Sequence, residues 1–154
     1  MGSDPARKIL HVDMDNVLVD FPSGLARVPG HTLRAYQGRA DEIPGLFSLM
    51  DPLPGAVEAF TELAGLFDAY VLSTAPWENP SAWSAKLLWV KRHLGAAARK
   101  RLILTHHKDL VRGEFLVDDR EKNGAGRFAG ELLLFGSARF PDWAAVLAYL
   151  RGRA

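Results

Sequence analysis

Two aspartates, Asp13 and Asp15, follow a short apolar segment at residues 9–12. Side chains two apart on an extended backbone point to the same side, so the two carboxyl groups are expected to share one site. One carboxylate can attack phosphorus when a cation screens its charge, and a second acid can protonate the leaving oxygen and then activate water. The pair therefore indicates phosphoryl chemistry, with Asp13 as nucleophile and Asp15 as general acid and base. Taken alone, such a pair is also typical of a solvated turn.

Three further polar residues, Thr74, Lys108 and Asp118, come at or just after the ends of later apolar segments. A hydroxyl and an ammonium group can both bind phosphoryl oxygens and stabilise the charge that develops there. Asp118 is followed by Asp119, and adjacent acids repel each other unless a cation is near. With hard oxygen ligands and no cysteine in the chain, the expected ion is Mg²⁺.

These residues are separated by alternating strand and helix patterns. The predicted strands are 9–12, 69–72, 102–104, 115–117 and 131–135; the predicted helices are 56–66, one from an N-cap at Ser81 to Gly95, and one from an N-cap at Asp142 to Leu150. This alternation predicts an α/β fold with a parallel sheet covered on both faces. Ligands of such sheets bind outside the carboxyl ends of the strands, where the polar residues fall.

Length and composition limit the alternatives. A chain of 154 residues fits a single domain over residues 1–154, and a net charge of +1 gives no footprint for a nucleic acid polymer or an anionic membrane. No apolar run approaches the ~18 residues that span a bilayer, and the start lacks a signal peptide. We therefore expect a cytoplasmic protein without a membrane partner. The sequence leaves open whether residues 2–5 are native.

Several histidines and tryptophans have a structural interpretation. His106 and His107 resemble a metal pair, but adjacent strand-end side chains point to opposite sides, so one of them is expected in a loop or against phosphate. His11 lies within the first strand and is expected to pack in the core. Trp83 and Trp89 are more typical of helix packing than of a ligand cage.

The ordered motifs are similar to those of a known superfamily. The matching segments are His11-Val12-Asp13-Met14-Asp15-Asn16-Val17-Leu18-Val19-Asp20-Phe21, Pro52-Leu53-Pro54-Gly55, Ser73-Thr74-Ala75-Pro76, Lys86 before Trp89-Val90, Leu102 to Lys108, and Leu116-Val117-Asp118-Asp119-Arg120. The chain resembles the haloacid dehalogenase-like hydrolases, and within them the 5'(3')-deoxyribonucleotidase family. The resemblance implies a Rossmann-like three-layer sandwich with a mostly parallel sheet. It also implies a small helical cap inserted after the first strand at about residues 21–50, termed the cap segment below.

The resemblance also implies a role for each matching site residue. Asp13 would be the nucleophile and Asp15 the general acid and base. Magnesium would be held by Asp13, the backbone carbonyl of Asp15 and Asp118, with Asp119 supporting the site from outside. The residues that would contact the phosphate or the rest of the substrate are Thr74, Lys108, Lys86, Phe21 and His106.

Three features depart from the family pattern. Asn16 stands where many members have glycine, a substitution that asparagine tolerates because it accepts unusual backbone angles. His106 replaces an arginine common near the phosphate, exchanging a permanent cation for a mostly neutral group. The cap segment contains only three aromatic residues, fewer than a cap that stacks on a base should have.

The preferred function is a magnesium-dependent phosphomonoester hydrolase, a nucleotidase-like phosphatase that works through an aspartyl-phosphate on a (deoxy)nucleoside monophosphate. The alternative is a nucleotide- or phosphate-binding regulatory protein that keeps the site but turns over poorly, as His106 and the thin cap suggest. A phospho-accepting receiver domain disagrees with the order of the motifs, because its acid pair comes early. The sequence also leaves open a homodimer whose second subunit completes the cap.

Overall fold

The structure is a computed structural model that describes residues 6–154, so residues 2–5 lie outside the described part. It contains a five-stranded parallel sheet in the order β5-β4-β1-β6-β7 and a separate antiparallel pair, β2 and β3. The strands are β1 (Ile9–Val12), β2 (Val19–Asp20), β3 (Asp51–Pro52), β4 (Asp68–Ser73), β5 (Leu102–Leu104), β6 (Phe115–Asp118) and β7 (Glu131–Leu134). The predicted parallel α/β sheet is confirmed.

Five α-helices accompany the strands in the described residues: α1 (Phe21–Leu25), α2 (Gly30–Ala35), α3 (Ala56–Leu66), α4 (Pro80–His93) and α5 (Trp143–Arg151). Asp142 caps α5 as predicted, accepting a hydrogen bond from the Ala145 amide at 3.0 Å. The predicted N-cap at Ser81 is wrong. The cap position belongs to Asn79, because Pro80 fits the first turn of a helix, where its missing amide hydrogen costs nothing.

The core lies mainly on one face of the sheet. Leu10, Val12, Val71 and Val117 are buried there against α3, α4 and α5. Strand residues of opposite parity, such as Leu72 and Leu116, form a smaller cluster on the other face with Ala125 and Phe128. Within the described residues, that second face is packed against short elements, including the 3₁₀ turn Ala125–Arg127.

The cap segment lies between β2 and β3, whose antiparallel pairing brings its two ends together. It contains α1, α2 and two 3₁₀ turns, Ala40–Glu42 and Leu46–Leu49. Four apolar side chains of the segment are buried in the main core: Ile43, Leu46, Phe47 and Met50.

The cap segment is fastened to α4. The Asn79 side chain donates hydrogen bonds to the carbonyls of Asp41 and Ile43 at 2.9 and 3.0 Å. The Trp89 indole donates to the Met50 carbonyl at 3.0 Å. Trp89 is therefore a packing residue, as predicted. In residues 6–154, no helix has both the length and the apolar character needed to cross a membrane.

Candidate active site

The carboxyl ends of β1 and β6 lie side by side and bring two buried acids together. The Asp13 amide donates to the Val117 carbonyl at 2.9 Å, which extends the β1–β6 pairing to the nucleophile candidate. The Lys108 ammonium donates to Asp13 Oδ1 at 3.0 Å and to Asp118 Oδ2 at 2.6 Å. Lys108 is itself buried and enters from the 3₁₀ turn Lys108–Leu110, whose first amide donates to the Asn123 carbonyl at 2.7 Å. The structure thus joins three predicted site residues by direct contacts.

The charges in this group lie close enough to change one another's pKa values. Burial raises the pKa of Asp13 to about 6, and the neighbouring Asp118 and Asp15 add to that effect while Lys108 opposes it. Burial also raises the pKa of Asp119 to about 6, with Asp13 as the next contributor through repulsion and a hydrogen bond. Although burial disfavours the Lys108 ammonium, its two aspartate partners raise the pKa of Lys108 above its usual value. The carboxylates are therefore destabilised as anions while the ammonium is held charged.

The acid cluster has the composition of a site for a hard divalent cation. Asp13, Asp118 and Asp119 each offer one oxygen, and these oxygens lie within 4.8 Å of one another. Among the described residues, the Asp119 Oδ1 atom is buried and has no hydrogen-bond partner. Closely spaced carboxylate oxygens with an unsatisfied buried acceptor fit Mg²⁺, which prefers oxygen ligands. Asp119 was expected only to support the site from outside, yet its carboxylate belongs to this group.

Asp15 reaches the same site from the tight turn that follows β1. Asn16 has φ 61°, a left-handed conformation that asparagine adopts more readily than most residues, so the expected tolerance at this position is confirmed. The amides of Leu18 and Val19 donate to the Met14 carbonyl at 2.8 and 2.9 Å, which closes the turn. Asp15 lies within this closed turn, and its side chain lines the same small cavity as Asp13.

Thr74 follows β4 and shares a small cavity with Asp13, Asp15, Lys108 and Asp118. Its hydroxyl donates to the Thr105 carbonyl at 2.7 Å, which ties the ends of β4 and β5 together. Phosphate binding through this hydroxyl would therefore require that hydrogen bond to be exchanged. The sheet order brings residues from β1, β4, β6 and the turn after β5 to one edge, as the strand-end argument predicted.

A wider cleft of about 730 Å³ opens beside the acid cluster and is lined by Phe21, His106 and Asp119 among others. The Trp77 side chain also lines it and is 76% exposed. The rings of Trp77 and His106 are 5.9 Å apart in an edge-to-face arrangement, and Trp83 lies 6.0 Å from His106. The sequence did not point to Trp77, because it lies in the loop after β4, where no periodic pattern shows which side chains face a cleft.

Lys86 lies apart from the cleft surface. Its side chain is completely buried, and its ammonium contacts Asp15 Oδ2 at 3.1 Å and the Ser73 hydroxyl oxygen at 2.8 Å. The predicted role of Lys86 was to face the substrate. In this structure its ammonium is instead enclosed by protein atoms.

His11 has no part in the site. It lies on the second face of the sheet, with Nε2 2.8 Å from the Arg112 carbonyl oxygen and rings of Tyr70 and Phe128 nearby. The core position predicted for it is confirmed, since the residue is 2% exposed.

Comparisons with known proteins show the family of the chain. The family model described as "5' nucleotidase, deoxy (Pyrimidine), cytosolic type C protein" matches residues 25–140. A candidate 5'(3')-deoxyribonucleotidase of Vibrio phage KVP40 is 54% identical over 144 residues, which are 94% of this chain and 85% of that protein. The human cytosolic-type 5'(3')-deoxyribonucleotidase is 34% identical over 139 residues, which are 71% of this chain and 69% of that protein.

A solved structure resembles the whole fold. A candidate HAD hydrolase from Bacillus subtilis, bound to magnesium, superposes with a TM-score of 0.68 and covers 94% of this chain and 98% of that one. At 10% sequence identity, this likeness concerns the fold. It agrees with the predicted Rossmann-like architecture.

Proposed function

The chain belongs to the cytosolic type C 5'-nucleotidase family of HAD-like phosphohydrolases, and we propose that it hydrolyses a nucleoside monophosphate through Asp13. The observation that carries the proposal is the contact of the buried Lys108 ammonium with both Asp13 and Asp118 at the edge of an open cleft. A nucleophile held by a cation at the carboxyl end of a parallel strand is suited to attack a phosphate that enters from the cleft.

Magnesium fits the donors around that nucleophile. Asp13, Asp118 and the backbone carbonyl of Asp15 would hold the ion, with the Asp119 carboxylate beside them. When bound, the ion supplies positive charge that screens the phosphate from the attacking carboxylate and stabilises charge in the transition state. Lys108 contributes a second, permanent charge at the same place.

The side chains divide the reaction into two displacements. In the first, an Asp13 carboxylate oxygen bonds to phosphorus while the phosphorus–ester oxygen bond breaks, and Asp15 gives its proton to the departing oxygen. The products are a free nucleoside hydroxyl and an aspartyl-phosphate. In the second, Asp15 takes a proton from water, the water oxygen bonds to phosphorus, and the bond to Asp13 breaks to release inorganic phosphate.

The cleft supports a nucleoside as the part of the substrate beyond the phosphate. Trp77, Phe21 and His106 present aromatic rings in the wall of a cleft that also contains Asp119. Nucleobases stack on such rings irrespective of base identity, at about 1–3 kcal/mol per base. We also assign residues 21–50 the role of a cap over this cleft, within a single domain, because Gly38 and Asp41 of that segment line it.

Replacing the nucleophile tests the proposal. Asp13→Asn keeps the size of the side chain but removes its negative charge. Phosphate release from the test substrate deoxyuridine monophosphate (dUMP) should therefore fall by a factor on the order of a thousand or more. Asp142→Asn is the matched control, since Asp142 is exposed at the start of α5 and asparagine caps helices equally well. The control should retain wild-type turnover.

Two results would overturn the proposal. Undiminished turnover by Asp13→Asn would exclude Asp13 as the nucleophile. Magnesium-dependent binding of nucleotides by the wild-type protein, with negligible hydrolysis across a panel of phosphoesters, would favour the regulatory binding protein instead.

A further inference from the structure

Lys86 is a buried charge in the middle of α4. Its side chain has no exposed surface, and lysine is almost never fully buried unless its ammonium is paired. Transfer of an ammonium group from water to the interior is costly, so a fully buried lysine must be retained for what its charge contacts. Simple packing of α4 against the core would be served better by an apolar residue of the same size.

The contacts of Lys86 come from three separate parts of the chain. Its ammonium donates to Ser73 Oγ at 2.8 Å, at the end of β4, and to Asp15 Oδ2 at 3.1 Å, after β1. The same nitrogen lies 4.7 Å from the centroid of the Phe47 ring, in the cap segment. An ammonium has three hydrogens, so two oxygens and one ring face account for all of them. Lys86 thereby fixes the geometry between Asp15, the sheet and the cap.

The two oxygens of Asp15 are in different situations. Asp15 Oδ2 is held by Lys86, whereas Asp15 Oδ1 is buried and has no hydrogen-bond partner among residues 6–154. The Asp15 side chain as a whole is 21% exposed, and it lines both the small cavity and the wider cleft. Lys86 therefore holds one oxygen of a side chain that lines the cleft, and the other oxygen is an acceptor without a protein partner.

We propose that Lys86 is a positioning residue that orients the Asp15 carboxyl group towards the ester oxygen of the substrate. The inference rests on the proposed function, because it assumes that Asp15 transfers the proton to the leaving group. Lys86 acts on the chemistry through Asp15 and does not touch the substrate. Its contact with Phe47 makes the position of Asp15 depend on the packing of the cap segment.

The test compares two leaving groups. A nucleoside hydroxyl needs a proton as it departs, whereas p-nitrophenolate is a stable anion that leaves without one. For each substrate, kcat/KM reports on the step in which the leaving group departs. The later hydrolysis of the aspartyl-phosphate is the same for both substrates, so it does not distinguish them. Since general acid catalysis contributes roughly 10²–10⁴-fold, Lys86→Met should lower kcat/KM for dUMP at least about tenfold more than for p-nitrophenyl phosphate.

Two controls separate positioning from structural damage. Lys91→Met changes an exposed lysine on the same helix and should leave the ratio of the two kcat/KM values unchanged. Asp15→Asn, like Lys86→Met, should lower kcat/KM more for dUMP than for p-nitrophenyl phosphate. The double variant should have a kcat/KM for dUMP no lower than that of Asp15→Asn alone, because both changes remove the same proton transfer.

The outcomes distinguish this inference from the proposed function. An equal loss with both substrates, or additive losses in the double variant, would overturn the positioning role of Lys86 while leaving Asp13 as nucleophile. If Lys86→Met does not fold, Ser73→Ala removes one neutral partner of the ammonium and should show the same selectivity to a smaller degree. Equal losses of kcat/KM for the two substrates in a folded Ser73→Ala variant would then overturn the role. Turnover by Asp13→Asn would overturn the proposed function itself.

Discussion

Buried charges occur at both ends of the central sheet, and the two ends balance them differently. At the amino end, Asp68 begins β4 and pairs with Arg101, just before β5, at 2.5 Å. At the carboxyl end, four acids, Asp13, Asp15, Asp118 and Asp119, surround two buried ammonium groups. One end is a neutral pair, whereas the other has two buried and two half-buried acids against two ammonium groups, an excess of negative charge.

The difference separates a structural arrangement from a functional one. A buried pair with matched charges satisfies itself and needs no ligand. Burial is the main cause of the raised pKa values of Asp13 and Asp119, and repulsion from neighbouring carboxylates adds to it. A cation that binds among these carboxylates would relieve the repulsion. The charge imbalance, more than any single residue, therefore distinguishes the carboxyl end as the candidate active site.

Among the variants that compare the two ends of the sheet, the largest effect is expected from Asp119→Asn at the carboxyl end. Asp119→Asn should raise the magnesium concentration that gives half-maximal phosphate release by about 10–100-fold, because the ion loses a nearby carboxylate. The same substitution relieves the repulsion with Asp13, so the metal-free variant should unfold at a higher temperature than the metal-free wild type. Activity titrations with Mg²⁺ and thermal unfolding in EDTA measure the two effects. A metal-free variant less stable than the wild type would contradict the charge-imbalance interpretation.

A smaller and purely structural effect is expected at the amino end. Arg101→Met leaves the buried Asp68 carboxylate without its cation, which should lower the free energy of unfolding by about 2–3 kcal/mol, less than for a fully buried pair because Arg101 is partly exposed. For the folded variant, kcat/KM for dUMP should stay within about twofold of the wild-type value. Urea unfolding and initial rates measure these quantities. A selective loss of activity would show that the two ends are coupled.

The smallest effect concerns His11, which lies on β1 between the two ends. Burial lowers the pKa of His11, and the Arg112 carbonyl, Asp68 and Glu114 only partly offset that cause. Below about pH 6.5 the His11 imidazole is therefore protonated in the unfolded chain, whereas in the folded chain it stays neutral to a lower pH. The stabilising contribution of the neutral imidazole is present above that pH and is lost as the pH falls towards the lowered folded value.

A variant isolates this pH dependence from that of the carboxylates. Asp13 and Asp119 have raised pKa values and so favour the folded state at low pH, the opposite direction. As the pH falls from 8 to 5.5, the free energy of unfolding of the wild type should therefore decrease relative to that of His11→Gln. A difference independent of pH would exclude His11 as the titrating group.

Local patterns in the sequence determined a large part of this protein. Short apolar segments ending in Asp13, Thr74 and Asp118 predicted both the parallel sheet and the edge at which the site forms, because ends of parallel strands meet in space. The residue type at position 16 could also be explained from the sequence, since asparagine adopts a left-handed backbone conformation more readily than most residues. Helix α3 matched its apolar periodicity from Ala56 to Leu66.

Only the tertiary structure decided which charges contact each other. Lys86 pairs with Asp15 across 71 residues and Lys108 with Asp13 across 95, and neither pairing leaves a periodic trace in the chain. Those contacts follow from the strand order β5-β4-β1-β6-β7 and from the packing of α4, which are properties of the whole fold. The sequence by itself determined that acids gather at one edge; the fold decided that Lys86 is buried behind Asp15, because burial depends on every element packed around a side chain.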